Sequence, residues 1–143
     1  MPASAQSKKI ELAVVALLKK AVTDLPRDVV SALEKARDSE TNALAKSQLD
    51  AILENVKLAK EKGLPMCQDT GVITFFVEMG FDSPMRGEIE KILVSAVKKA
   101  TKSIPLRPNY VDIFSGKNSG DNTGAGVPII NWSLVKGDKC KIT

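Results

Sequence analysis

Leu64-Pro65-Met66-Cys67-Gln68-Asp69-Thr70-Gly71 is where one kind of structure gives way to another in this chain. Upstream, an amphipathic helical pattern runs to Gly63, a residue suited to capping a helix C-terminus. Downstream, Val72-Ile73-Thr74-Phe75-Phe76-Val77-Glu78-Met79 is apolar and β-prone and is closed by Gly80. It reads as a strand buried on both faces. Between the two, consecutive positions offer a thiol, an amide, a carboxylate and a hydroxyl. A loop held at both ends by regular elements is where proteins tend to place chemistry. One soft ligand beside hydrogen-bonding groups suggests a metal or cluster edge with a substrate pocket next to it, although a lone cysteine is more commonly a small buried hydrophobe.

Working upstream, Leu49, Ile52, Leu53, Val56 and Ala59 form the stripe of the helix that ends at Gly63. Before it, Pro26 is poorly tolerated inside a helix but suited to a first turn, so a second helix starts there. Asp28 stands near its positive end, and Val29, Val30, Leu33 and Ala36 face inward. A first helix carries Ile10, Val14, Leu17, Leu18 and Ala21 on one face and ends near Asp24. These three helices, residues 1–63, are expected to pack as a small bundle in front of the Cys67 loop.

Working downstream, Ser83-Pro84 starts a turn, and Ile89, Ile92, Leu93, Ala96, Val97 and Ala100 mark a helix over residues 86–102. The texture then turns loop-like, with Arg107 between Leu106 and Pro108 and a glycine- and asparagine-rich run over residues 116–126. Residues 127–134 and 139–143 read as two strands around a Gly137-Asp138 turn. Residues 64–143 thus form an incomplete α/β region, and the fold class is α+β or α/β: a helical front end leading into a partial mixed α/β domain. The sequence stops inside its last strand, which reads as a fragment or as a domain that leans on something absent. The open sheet edge at residues 139–143 predicts self-association.

Composition narrows the function classes. At 143 residues, with 43% hydrophobic and 27% charged, the chain suits a single soluble globular unit. The net charge of +4 comes from lysines spread along helix faces, and aromatics make up only 4%, so nucleic-acid binding is disfavoured. A basic pocket for a small dianion fits the same charge. Cys67 and Cys140 do not make a disulfide framework. No apolar run approaches membrane-spanning length, and the lysine-flanked core at residues 12–18 is too short for a signal peptide, so a cytoplasmic location is expected.

The phosphate-loop motifs fail. Gly116-Lys117 is followed by Asn118 and preceded by Val111 where a Walker loop needs glycine, and Ile129 occupies the third glycine position of a dinucleotide fingerprint. What remains is a long polar loop, either mobile surface or a set of backbone amides free to meet an anion. Pro108 restricts Arg107 to extended backbone, which would direct its guanidinium toward a carboxylate; spacing alone leaves it a surface arginine. With no histidine in the chain, His-based catalysis and His metal sites are excluded within it. Cys140, alternating with Lys139 and Lys141, reads as an inward structural thiol.

Taken together, Pro65-Met66-Cys67-Gln68-Asp69-Thr70-Gly71, then Leu106-Arg107-Pro108-Asn109, then Gly120-Asp121-Asn122-Thr123-Gly124 resemble the N-terminal part of the class I, iron–sulfur-dependent fumarate hydratases and of L-tartrate dehydratase α subunits. The resemblance runs from about Lys8 onward. It implies a hydro-lyase for C4 dicarboxylates, hydrating fumarate to L-malate or dehydrating L-tartrate to oxaloacetate. It also implies that Cys67 is one of three thiolates around a [4Fe–4S] cluster whose open iron acts as a Lewis acid. Gln68 and Asp69 would line the substrate pocket, Arg107 would pair with a substrate carboxylate, and the loop carrying Asp121 and Asn122 would shape the pocket wall.

The chain also departs from the pattern. The other two cluster cysteines and a K-G-G-G-S-E-N block have no counterpart here; neither do the catalytic groups, which are expected in a C-terminal domain or separate β subunit, in a homodimer or heterotetramer. One thiolate cannot hold four irons, so these residues by themselves are expected to be apo and inactive. A non-catalytic fragment that only binds a partner subunit is the alternative.

Overall fold

The computed structural model describes residues 5–143. Four helices and three strands follow one another as α1 (Ala5–Thr23), α2 (Arg27–Ser39), α3 (Ala43–Lys62), β1 (Thr74–Gly80), α4 (Ile89–Ser103), β2 (Ile129–Val135) and β3 (Cys140–Ile142). The combination of helices with a small mixed sheet bears out the α+β class.

Local chemistry explains the helix boundaries. Thr23 closes α1 by donating its hydroxyl to Lys19 O, and Pro26 precedes α2 as its N-cap. Asn42 caps α3, its side-chain oxygen accepting from the amides of Leu44 and Ala45. Gly63 ends α3 at φ 63°, a left-handed conformation that costs an L side chain about 1–2 kcal/mol, and its N–H donates to Ala59 O. That cap releases the chain into the Cys67 loop.

The core lies between one face of the sheet and the α1–α4 pair. Phe75, Val77 and Met79 of β1 are buried against Leu93, Ala96, Val97 and Ala100 of α4 and against Val14 and Leu18 of α1. Full burial of each large side chain contributes about 1.5–3 kcal/mol. Ser7 Oγ donates to Glu88 and Ser95 Oγ to Glu11, so α1 and α4 run in the same direction.

Three expectations are corrected. The first is the three-helix bundle: α1 belongs to the sheet layer, packed on α4, and α2 and α3 form a pair that touches the rest lightly. None of α2 is buried and only Ala59 of α3 is, so Val29 and Ile52, assigned inward by periodicity, remain exposed. The second is the two-sided burial of β1. Its residues alternate, with Phe76 and Glu78 exposed on the face opposite the core.

The third is the pairing of the last two strands. The sheet order is β2-β1-β3, with β2 parallel and β3 antiparallel to β1, so β1 separates the strands that the Gly137-Asp138 turn appeared to join as a hairpin. The chain leaving β2 crosses the end of β1 instead. Phe81 N donates to Val135 O, Asp82 N to Gly137 O and Gly80 N to Lys139 O. The crossing works because position 80 is glycine: a Cβ there would collide with the backbone of Gly137 and Lys139. A glycine-containing turn after a strand looks the same in sequence whether the chain turns back beside its partner or passes over a neighbour.

Candidate functional site

Two ends of the molecule can be told apart. Gly80, Ser83, the start of α4 and the start of α1 share one end. The C-termini of α1 and α4 and the entrance to β1 share the other, where the Cys67 loop is pinned. Met66 N donates to Val22 O on α1, and Asn55 Nδ2 of α3 donates to Met66 O. The residue before the thiol is therefore tied to two helices, while Cys67, Gln68 and Asp69 are themselves exposed.

The three sequence blocks meet at this end. Thr70 Oγ1 accepts from Arg107 N at 3.1 Å and lies 3.4 Å from Arg107 O. Asp69 Oδ1 accepts from Gly71 N at 2.9 Å and from Asn109 Nδ2 at 2.8 Å. Asn122 is the hub. It is 3% exposed and adopts φ 58°, which asparagine tolerates better than other non-glycine residues. Its Oδ1 accepts from the amides of Asn109 and Tyr110 at 2.8 and 3.3 Å. Its Nδ2 donates to Arg107 O at 2.7 Å and to Thr101 Oγ1 at 3.2 Å. One side chain thus joins the end of α4, residues 107–110 and the glycine-rich loop.

The side chains assigned to substrate and metal are left uncommitted by this network. Leu106 is buried and Arg107 is held through its backbone, but among the described residues the Arg107 guanidinium has no hydrogen-bonding or ionic partner. Gln68 likewise keeps its amide free among the described residues. Asp69 is the exception, with one carboxylate oxygen occupied. Sequence reasoning quoted Asn109 and Asn122 without giving them contacts. The available signal was an asparagine inside a Gly-Asp-Asn-Thr-Gly run, where a left-handed residue is expected.

Neighbouring charge is arranged around the loop. The Asp121 carboxyl is held below the ordinary carboxylate range, first by the Thr123 hydroxyl, then by the Thr123 amide, Ser119 and Lys98, with burial opposing them. Because the folded pKa lies below the unfolded value of about 3.9, the stabilisation is complete above that pH. It is lost as pH falls through the folded value. Asp121→Asn should therefore flatten part of the acid limb of a stability-versus-pH curve below about pH 4 and leave the neutral plateau free of pH dependence from this group. Urea midpoints measured from pH 2 to 7 check this; an unchanged acid limb would remove Asp121 from the account.

Cys67 offers a soft, exposed donor with no competing disulfide. Cys140 is partly buried, its thiol pushed up by burial, and it pairs with Met79 near the far end of β1. Roughly 17 Å of strand separates Met79 from the start of β1, so the two thiols cannot share one metal centre. No group of three or more His, Cys, Asp or Glu among the described residues could hold a metal ion. A single exposed thiolate is chemically suited to be one ligand of an iron–sulfur cluster and cannot hold one alone.

Residues 11–143 match the family model described as fumarate hydratase (fumerase). The chain belongs to that family. This fumarate hydratase family chain is 43% identical over 121 residues to the L(+)-tartrate dehydratase subunit alpha of Escherichia coli strain UTI89, covering 84% of the chain and 40% of the relative. The corresponding subunit of Escherichia coli strain K12 is 42% identical over 113 residues, covering 79% and 37%. A putative L(+)-tartrate dehydratase subunit alpha of Methanocaldococcus jannaschii is 43% identical over 126 residues, covering 86% and 44%. The chain spans about two fifths of the length of the curated relatives it matches. Among the described residues no helix is long and apolar enough to cross a membrane.

Proposed function

We propose that this chain forms the N-terminal part of an iron–sulfur-dependent hydro-lyase for C4 dicarboxylates, with Cys67 holding one corner of a [4Fe–4S] cluster. The observation that carries the reading is the convergence of three separated blocks through Asp69, Asn109 and Asn122, with the Cys67 thiol and the Arg107 guanidinium left free among the described residues. When bound, the cluster supplies a Lewis-acidic iron that polarises the C–O bond made or broken in the reaction.

The residues of this chain orient the substrate. Arg107, its backbone fixed by Thr70 and Asn122, presents a guanidinium whose planar fork suits a carboxylate. Gln68 and Asp69 line the pocket wall beside the thiol, and Asn109 holds the Asp69 carboxylate in one orientation. The remaining cluster thiolates come from polypeptide beyond these residues and the proton-transfer groups from a C-terminal domain or β subunit, in a homodimer or heterotetramer located in the cytoplasm.

Hydration of fumarate to L-malate is the reading favoured by the family model. Dehydration of L-tartrate to oxaloacetate is favoured by the names of the relatives. The natural gene product carrying this sequence, purified anaerobically with its copurifying subunits, should turn over at least one of the two acids. Comparing kcat/KM for both assigns the substrate. Turnover of neither by an iron-loaded preparation would end the hydro-lyase reading.

A further inference from the structure

The loop between Asn109 and Asn122 ends in an apolar tip that the site chemistry does not use. Ile113 is 86% exposed and Phe114 is 94% exposed. Scattered apolar residues on a surface need no explanation. Two adjacent large ones held almost wholly in water by a braced loop do. Asp112 provides much of the brace: its Oδ1 accepts from Ser115 N, Ser115 Oγ and Phe114 N, its N–H donates to Lys117 O, and its carbonyl accepts from Gly116 N. Below the tip, Val111 bridges to Asn118, and Asn118 Nδ2 donates to Pro108 O at 2.6 Å. The tip is therefore fastened to the residue next to Arg107, at the end of the molecule where the cluster corner lies.

We infer that Ile113 and Phe114 form an anchor that inserts into an apolar socket on the polypeptide completing this site. That polypeptide is the part of the relatives' length to which this chain has no counterpart. Two observations select this occupant. The chain spans only about two fifths of its relatives. The described residues lack enough donors for a metal, and the tip is fastened beside Pro108, at the same end as Cys67, where the missing donors are needed. An aromatic on a rigid support is the usual form of an interface hot spot, because little side-chain freedom is lost on insertion. The inference rests on the proposed function for the identity of the occupant, and the test separates the two.

The experiment uses the natural gene product with its copurifying subunits. Phe114 is replaced by photoreactive benzoylphenylalanine, the sample is irradiated, and cross-linked peptides are mapped by mass spectrometry. A cross-link to polypeptide outside residues 5–143 is the expected result. A cross-link to residues 5–143 of a second copy, or none at all, overturns the inference. In parallel, Phe114→Asp should lower iron content at least tenfold while the isolated chain keeps its melting temperature, since the side chain is already in water; retained iron would overturn the anchor. Cys67→Ser in the cross-linkable protein is the control. Iron unaffected by that change with the cross-link intact would sink the cluster reading alone, and iron lost with no cross-link would sink the anchor alone.

Discussion

Asn122→Ala should lower the stability of this chain by about 3 kcal/mol, the largest single loss expected outside the apolar core. The change removes hydrogen bonds to Asn109 N, Tyr110 N, Arg107 O and Thr101 Oγ1 from a side chain that is 3% exposed. Each buried partner left unpaired costs about 1–3 kcal/mol, and some regain water as the loop loosens. The φ of 58° adds to the loss, because alanine tolerates that conformation less well than asparagine. For a chain of this size the shift in melting temperature should be about 10 °C. The Asn109 amide should also exchange its hydrogen much faster. A melting temperature within 2 °C of the parent, with the Asn109 amide still protected, would show that the three blocks are held together by something else.

Cys67→Ser should behave in the opposite way, with little effect on stability and complete loss of activity in the intact enzyme. The thiol is exposed and outside the apolar core, so the isolated chain should melt within about 0.5 kcal/mol of the parent. Cys140→Ser provides the contrast. That thiol packs against the core beside β1, and placing a hydroxyl there should cost about 1 kcal/mol without affecting turnover. A cysteine that matters for function but not for folding, paired with one that matters for folding but not for function, separates a ligand from a packing residue. If Cys67→Ser retains full activity, Cys67 is not a ligand.

The contrast between these residues also explains what could be read from the sequence. Elements specified locally were visible. The stripe of α4, the Gly63 cap and the helix-to-strand switch around Cys67 each depend on residues within a few positions of one another. Features that depend on distant parts of the chain were not. The stripes of α1 and α3 look alike, yet α1 found α4 and the sheet while α3 found mainly α2. The order β2-β1-β3 depends on a close approach at Gly80 that no local pattern announces. Arg107 and Asp69 became candidates through the resemblance of the blocks that carry them, since spacing alone left Arg107 a surface arginine. The Asn122 hub was not, because its bonds join segments separated by 12 to 21 positions. The exposure of Phe114 escaped for the same reason: an apolar residue in a loop looks like core until the packing is known.

The central claim is that Cys67 holds iron. Its most direct test is the iron and acid-labile sulfide content of the natural protein purified without air, compared among the parent, Cys67→Ser and Cys140→Ser. The account predicts a loaded cluster in the parent and in Cys140→Ser, and its loss in Cys67→Ser. Iron retained by Cys67→Ser, or a parent protein that carries none, would contradict it.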